Sequence, residues 1–229
     1  TLVIAIAIIP LAVFVHSVLS WAFSLTGRPG WNSTIFAPYF VVGALYSGVA
    51  MVILVVAGFR AAYRLEGSIT PMHFRYLGYL LVTLDVSYLY FTFSELLTEG
   101  YVMSQEAAPL LQAILIDRYA PYFWVFIVAG GLVPLLLVAL PVTRNVSGIA
   151  AAAGLVVGAM WLKRLLIVVP VAARPLISGT WGDFQLTWVA VSITVGAAAA
   201  IPLLLMLFFK LVPVLAVSEM EELAAEEMP

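Results

Sequence analysis

The stretch LVTLDVSYLYFTFSELLTE, residues 81–99, is apolar enough to lie in a bilayer, yet it carries Asp85, Glu95 and Glu99. An acid in hydrocarbon costs about 2.5–3.5 kcal/mol on insertion scales. At 100° per residue, Asp85, Tyr88, Thr92, Glu95 and Glu99 fall within about a quarter of a helix circumference. They form one polar stripe on an otherwise apolar rod. Such a stripe must face other helices or a water-filled or ligand-filled cavity, not lipid.

The chain around it has 229 residues, 64% of them hydrophobic and 10% charged. Soluble domains run near 25% charged, so this composition defines a polytopic membrane protein. With no cysteine, the chain holds no thiolate-bound iron–sulfur cluster, Cys-ligated haem or disulfide. The two histidines, His16 and His73, lie near opposite ends of their helices, which argues against a bis-His haem, and no metal site is expected. A net charge of −2 without a basic run argues against nucleic acid. Thr1 opens inside an apolar run with no charged leader, which reads as the later part of a longer protein rather than a signal peptide.

The expected fold is all-α, a polytopic bundle of about six membrane helices. Helices are expected over about residues 1–25, 36–59, 76–97, 120–140, 146–169 and 184–212. The polar stretch 64–75 reads as a connection, with His73 a loop residue. A short amphipathic helix at about 107–116 is expected on the membrane surface. The transmembrane domain is expected to cover 1–213, followed by an acidic cytoplasmic tail, 214–229. Small residues suggest close packing at Gly43, Ser47 and Gly48, and at Gly154 and Gly158 in GxxxG spacing. Trp31 and Tyr39 are placed at interface depth. Arg60, Arg64, Arg75, Arg144 and Lys210 collect on one side, and Arg28, Arg118 and Arg174 on the other, which puts Thr1 and the tail in the cytoplasm. His16, Glu95, Glu99, Lys163 and Arg164 then share the outer half of the bundle, with Asp85 near mid-depth.

A quinol headgroup needs hydrogen-bond partners, a proton acceptor and an apolar slot. His16 as acceptor with Asp85 as its carboxylate partner would supply the first two. The plain alternatives are a His16 bonded to a carbonyl of the neighbouring helix and an Asp85 paired with Arg164 or Lys163. Glu95 and Glu99 read either as carriers in a proton path that includes Asp85, or as residues at the water interface. Arg164, one turn after Trp161, could anchor a headgroup, while Lys163 is expected to snorkel outward. The aromatics Tyr88, Tyr90, Phe91 and Phe93 read first as packing.

Several segments together resemble a known family: VHSVLSWAF (15–23), RPGWNSTIFAPYFVVGALYSGVA (28–50), YFTFSELLT (90–98), MWLKRLLIVVP (160–170), LTWVAVSITVG (186–196) and LFFKLVPVLAVSEMEE (207–222). They resemble NrfD/PsrC-like integral membrane quinol-oxidoreductase subunits, and most of all the ActC/ActF type of bacterial alternative complex III. The resemblance implies a subunit in the bacterial cytoplasmic (inner) membrane with no redox cofactor of its own. It would bind menaquinol, at a site that the residues themselves place at His16, Asp85, Tyr88, Trp161 and Arg164. Its partners would be an outer iron–sulfur subunit, a multihaem cytochrome c subunit, a second NrfD-like membrane subunit and lipid. Where many relatives carry an acid, this chain has Lys163 and Ala190, and where some do, it has Ala22. The alternatives are a scaffold or proton-conducting subunit without its own quinone, the membrane anchor of a molybdopterin reductase, and, last, a secondary transporter, since no inverted repeat is evident.

Overall fold

A computed structural model describes residues 2–174, 181, 182, 184, 185 and 187–211. All regular structure among them is helical: α1 (Leu2–Ser24), α2 (Phe36–Ala62), α3 (Pro71–Val102), α4 (Ala108–Leu115), α5 (Ala120–Ile127), a π-helical turn (Val128–Leu132), α6 (Val133–Ala139), α7 (Val146–Ala173) and α8 (Trp188–Phe208). α5, the π turn and α6 make one span, so six helical segments are long and apolar enough to cross a membrane. The chain divides into two units, Thr1–Gly182 and Asp183–Pro229. The second is described by α8, a 21-residue helix whose Thr187 side chain accepts the Ala190 N–H. The expected tail, 214–229, lies outside the described residues.

In the first unit, α2, α3 and α7 form the centre. The inner face of α3 carries Phe74, Gly78, Leu81, Asp85, Tyr88 and Thr92, spaced four and three residues apart in alternation. α2 answers with Phe36, Tyr39, Gly43, Tyr46, Ala50 and Ile53 in the same rhythm. Such spacing keeps one stripe turned to a neighbour along the full length of a helix. The outward faces are apolar; on α1, Ile4 and Ile9 are 66% and 67% exposed. That suits a lipid surround, where association rests on packing and interhelical hydrogen bonds.

α3 is 32 residues long, about 48 Å, and extends about five residues beyond each expected end. Pro71 starts it with φ already fixed. His73 is not a loop residue: its ring nitrogen accepts the Thr70 backbone N–H (3.1 Å), serving as part of the cap. α4 appears where the amphipathic helix was expected, but its apolar face is packed into the bundle, with Leu110 4% and Ala113 5% exposed.

The RPGW turn joins α1 to α2 and locks onto the end of α7. Arg28 donates to the Val171 carbonyl (3.1 Å), one of the last-turn acceptors that a helix leaves unpaired. The Trp31 indole, buried rather than set at an interface, donates to the Ile167 carbonyl (2.8 Å). Gly30, at φ 93°, lies so close to Leu110 and Val171 that a Cβ would stand 2.7 and 3.0 Å from their side chains. These contacts bring the C-terminal ends of α1, α3 and α7 and the start of α2 to one end of the unit.

The π turn has a local cause. Pro134 has no N–H to give the Gly130 carbonyl four residues back. The Tyr46 hydroxyl of α2 donates to that carbonyl instead (2.7 Å). Gly130 and Gly131 also permit the closest approaches, since added Cβ atoms would lie 2.5 Å from Ala159 Cβ and 2.8 Å from Leu89. Gly43 serves similarly against Tyr88. Among the described residues the expected tight contacts at Gly48, Gly154 and Gly158 are not made, because none of those residues lies within 4 Å of a Cβ at any of these positions. Gly130→Val should therefore cost about 1–3 kcal/mol, and Gly48→Ala should stay within about 0.5 kcal/mol. Unfolding midpoints of the detergent-solubilised protein measure both.

Candidate functional site

The outer-half residues do converge, on two adjoining cavities. The larger, about 320 Å³, is lined by His16 of α1, Tyr39 and Gly43 of α2, Tyr88 of α3, and Lys163 and Arg164 of α7. The smaller, about 80 Å³, is lined by Tyr39, Thr92, Glu95, Glu99 and Lys163, with Leu110, Leu111 and Ile114 of α4 closing it. Phe36, Tyr39, Lys163 and Ile167 belong to both and form the wall between them.

His16 bonds to its own helix rather than to a neighbour. Its Nδ1 meets the Ala12 carbonyl at 2.7 Å. A carbonyl can only accept, so Nδ1 carries the proton and a neutral ring offers Nε2 as a free lone pair to the cavity. The ring lies 6.5 Å from that of Phe40.

The direct His16–Asp85 pair is not formed. Within this unit α1 packs only on α2, and α2 stands between α1 and α3. Asp85 is 1% exposed and lines neither cavity. Neither of its oxygens has a hydrogen-bond partner among the described residues, so the ion pair with Arg164 or Lys163 is also absent. It interacts electrostatically with Tyr46, whose hydroxyl is spent on Gly130.

Lys163 does not snorkel. It is 9% exposed, on the inner face of α7 that also carries Ala159, Met160 and Leu166. Its ammonium rests 5.2 Å from the Tyr39 ring centroid and 5.4 Å from that of Phe126. A desolvated cation over a ring gains about 2 kcal/mol or more. It also interacts electrostatically with Glu95, which in turn feels Glu99. Arg164, one residue on and about 100° round the helix, is exposed and reaches the Ser47 hydroxyl at 3.4 Å. Trp161 is 46% exposed and lines neither cavity. Glu95 and Glu99 are half-buried cavity walls rather than open interface residues.

Tyr39, which the sequence reading did not include in the site, borders both cavities. Thr92 Oγ1 donates to the Tyr88 carbonyl (2.9 Å), so the Tyr39 hydroxyl must be the donor in its 2.7 Å bond to Thr92. Its ring lies 4.8 Å from Tyr88, and Tyr46 stacks on Tyr88 at 5.9 Å. The signal was present in the sequence: Tyr39 shares the three-and-four spacing of Phe36, Gly43 and Tyr46.

Fold and site together define a polytopic helical membrane subunit with a polar pocket at one end. Residues 1–175 match the family described as polysulphide reductase, NrfD. The chain belongs to that family. A relative from Halobacterium salinarum, described as a putative membrane subunit of dimethyl sulfoxide reductase, is 33% identical over 146 residues. The match covers 62% of this chain and 32% of the relative, so the chain spans about a third of that relative's length.

Tyr39→Phe removes one hydrogen bond and should cost about 1 kcal/mol, whereas Thr92→Val strands a buried hydroxyl donor and should cost about 1–3 kcal/mol. Unfolding midpoints in detergent should rank them in that order, with the double variant recovering part of the Thr92→Val loss.

Proposed function

We propose that this chain is a quinol-binding membrane subunit of a multi-subunit oxidoreductase, with the headgroup in the larger cavity. The observation that carries this reading is the convergence there of one lone-pair base, His16 Nε2, and two cations, Lys163 and Arg164, on an aromatic and apolar lining. The volume, about 320 Å³, lies at the lower end of small-molecule pockets. The substrate class is the menaquinol that the family resemblance implies.

Oxidation of a quinol releases two electrons and two protons. His16 Nε2 accepts a headgroup proton. Lys163 and Arg164 stabilise the negative charge left behind. Tyr88, Phe36 and Phe40 hold the ring plane. Asp85, outside both cavities, acts on the site only through Tyr46 and Tyr88. The electrons leave to an iron–sulfur partner docked at the end of the bundle where the site lies. That end faces outward across a bacterial cytoplasmic membrane.

Two assemblies share this chemistry. The ActC/ActF resemblance favours an alternative-complex-III type, with a multihaem cytochrome c and a second NrfD-like subunit. The description of the halobacterial relative favours the anchor of a molybdopterin reductase. The co-purifying subunits distinguish them.

In the intact complex, His16→Ala should lower quinol oxidation about 10²-fold, the lower end of a general base's contribution, with all subunits retained. Tyr90→Phe, on an exposed face of α3, should leave the rate unchanged. Full activity in His16→Ala and in Arg164→Ala would instead assign the chain a scaffold role.

A further inference from the structure

The smaller cavity is not needed to hold a headgroup, yet it holds the two acids. Its volume of about 80 Å³ compares with roughly 30 Å³ per water, so it has room for two or three. Glu95, Glu99, Thr92 and Lys163 supply the polar partners such waters require. Glu99 also lines a third cavity of about 170 Å³ with Asn32, Ser104 and Glu106. That cavity lies where the α1–α2 and α3–α4 connections meet. Lys163 and Tyr39 therefore join the first space to the second, and Glu99 joins the second to the third.

Tyr39 cannot pass a proton without giving up Thr92, and the Tyr39 ring closes the rest of the wall. Lys163 is different. Its Nζ lies on ring faces that accept no proton, its charge is felt by Glu95, and it borders both cavities. The titratable and charged groups around it are His16 from α1, Tyr39 from α2, Tyr88, Glu95 and Glu99 from α3, and Arg164 from its own helix.

We propose that the Glu95–Glu99 cavity is the hydrated proton exit of the quinol site and that Lys163 is the relay at its inner end. This rests on the quinol reading above. An N–H bond of the Lys163 ammonium breaks and its proton passes through water to a carboxylate oxygen of Glu95, forming an O–H bond. The neutral amine then takes a proton from the headgroup side and is an ammonium again. Glu95 hands its proton to Glu99, which releases it into the third cavity. Charge is conserved at each step and no electron moves. Asp85 borders none of the three cavities and takes no part.

The test uses Lys163→Arg and Lys163→Met in the intact complex. Arginine keeps the charge and the ring contacts but cannot lose a proton. Relay chemistry requires both variants to lose about 10²-fold in kcat, with KM within threefold of wild type and a larger solvent deuterium isotope effect. Wild-type kcat in Lys163→Arg would overturn the relay and leave a purely electrostatic role. Binding of 2-heptyl-4-hydroxyquinoline N-oxide, a quinol analogue, separates the two readings. Analogue binding lost in His16→Ala, together with full turnover in Lys163→Arg, removes the relay alone. Analogue binding and turnover unchanged in every variant, His16→Ala included, remove the quinol site and the relay with it.

Discussion

The Lys163 ammonium is the charge on which the polar half of the bundle depends. In hydrocarbon a buried carboxylate has no water to turn to, and leaving it unpaired costs several kcal/mol. α3 brings two carboxyls, Glu95 and Glu99, one turn apart into the same small space. Without a cation their mutual repulsion would add to the cost of burial. Lys163 supplies the cation without closing a tight ion pair, because the Tyr39 and Phe126 rings hold its ammonium from two sides. A charge held on ring faces is stabilised without a carboxylate in direct contact. A direct lysine–carboxylate pair would be harder to separate in a low dielectric.

The deeper half of the bundle solves a different problem by covalent geometry. Pro134 removes a backbone donor inside a span, and the chain answers with one widened turn. The Gly130 carbonyl left facing inward takes the Tyr46 hydroxyl, so a defect in one helix becomes a bond between two. The same two glycines let α7 and α3 approach the widened turn. Tyr46 is thereby fixed, and it stacks on Tyr88, which lines the larger cavity. A proline in the fourth membrane span thus helps orient a ring at the site.

The spans, the α3 stripe and the common depth of His16, Glu95, Glu99, Lys163 and Arg164 were legible in the sequence because each rests on periodicity along one helix. What could not be read were facts about the angle of one helix to another. Lys163 and Arg164 are adjacent in sequence and both fit a snorkelling pattern; only the packing of Ala159, Met160 and Leu166 against the core shows that 163 faces in and 164 out. The His16–Asp85 pairing fails around the axis, since α2 lies between their helices. The amphipathic pattern of α4 was recognised, but an apolar face suits a bundle as well as a membrane surface. The GxxxG pair at Gly154 and Gly158 shows the same limit: the spacing permits a close contact but does not name a partner.

The distribution of polar groups along the bundle bears on direction. The two cavities that hold Glu99 lie toward the end where α3 finishes, and the larger cavity adjoins them at the level of Tyr88. Below them Asp85 is sealed, and beyond Asp85 the same stripe of α3 continues as Leu81, Gly78 and Phe74, faced by the buried side chains of Ile53 and Ile149. Among the described residues that layer offers neither a hydrogen-bonding side chain nor a cavity for water, and a proton crosses apolar packing only with one or the other. A group that loses protons in the larger cavity therefore sheds them most readily toward Glu99 and the near surface. An iron–sulfur partner at the same end would take the electrons from the same side. Under the proposed quinol reading, charge of both signs would then leave by one face of the bundle.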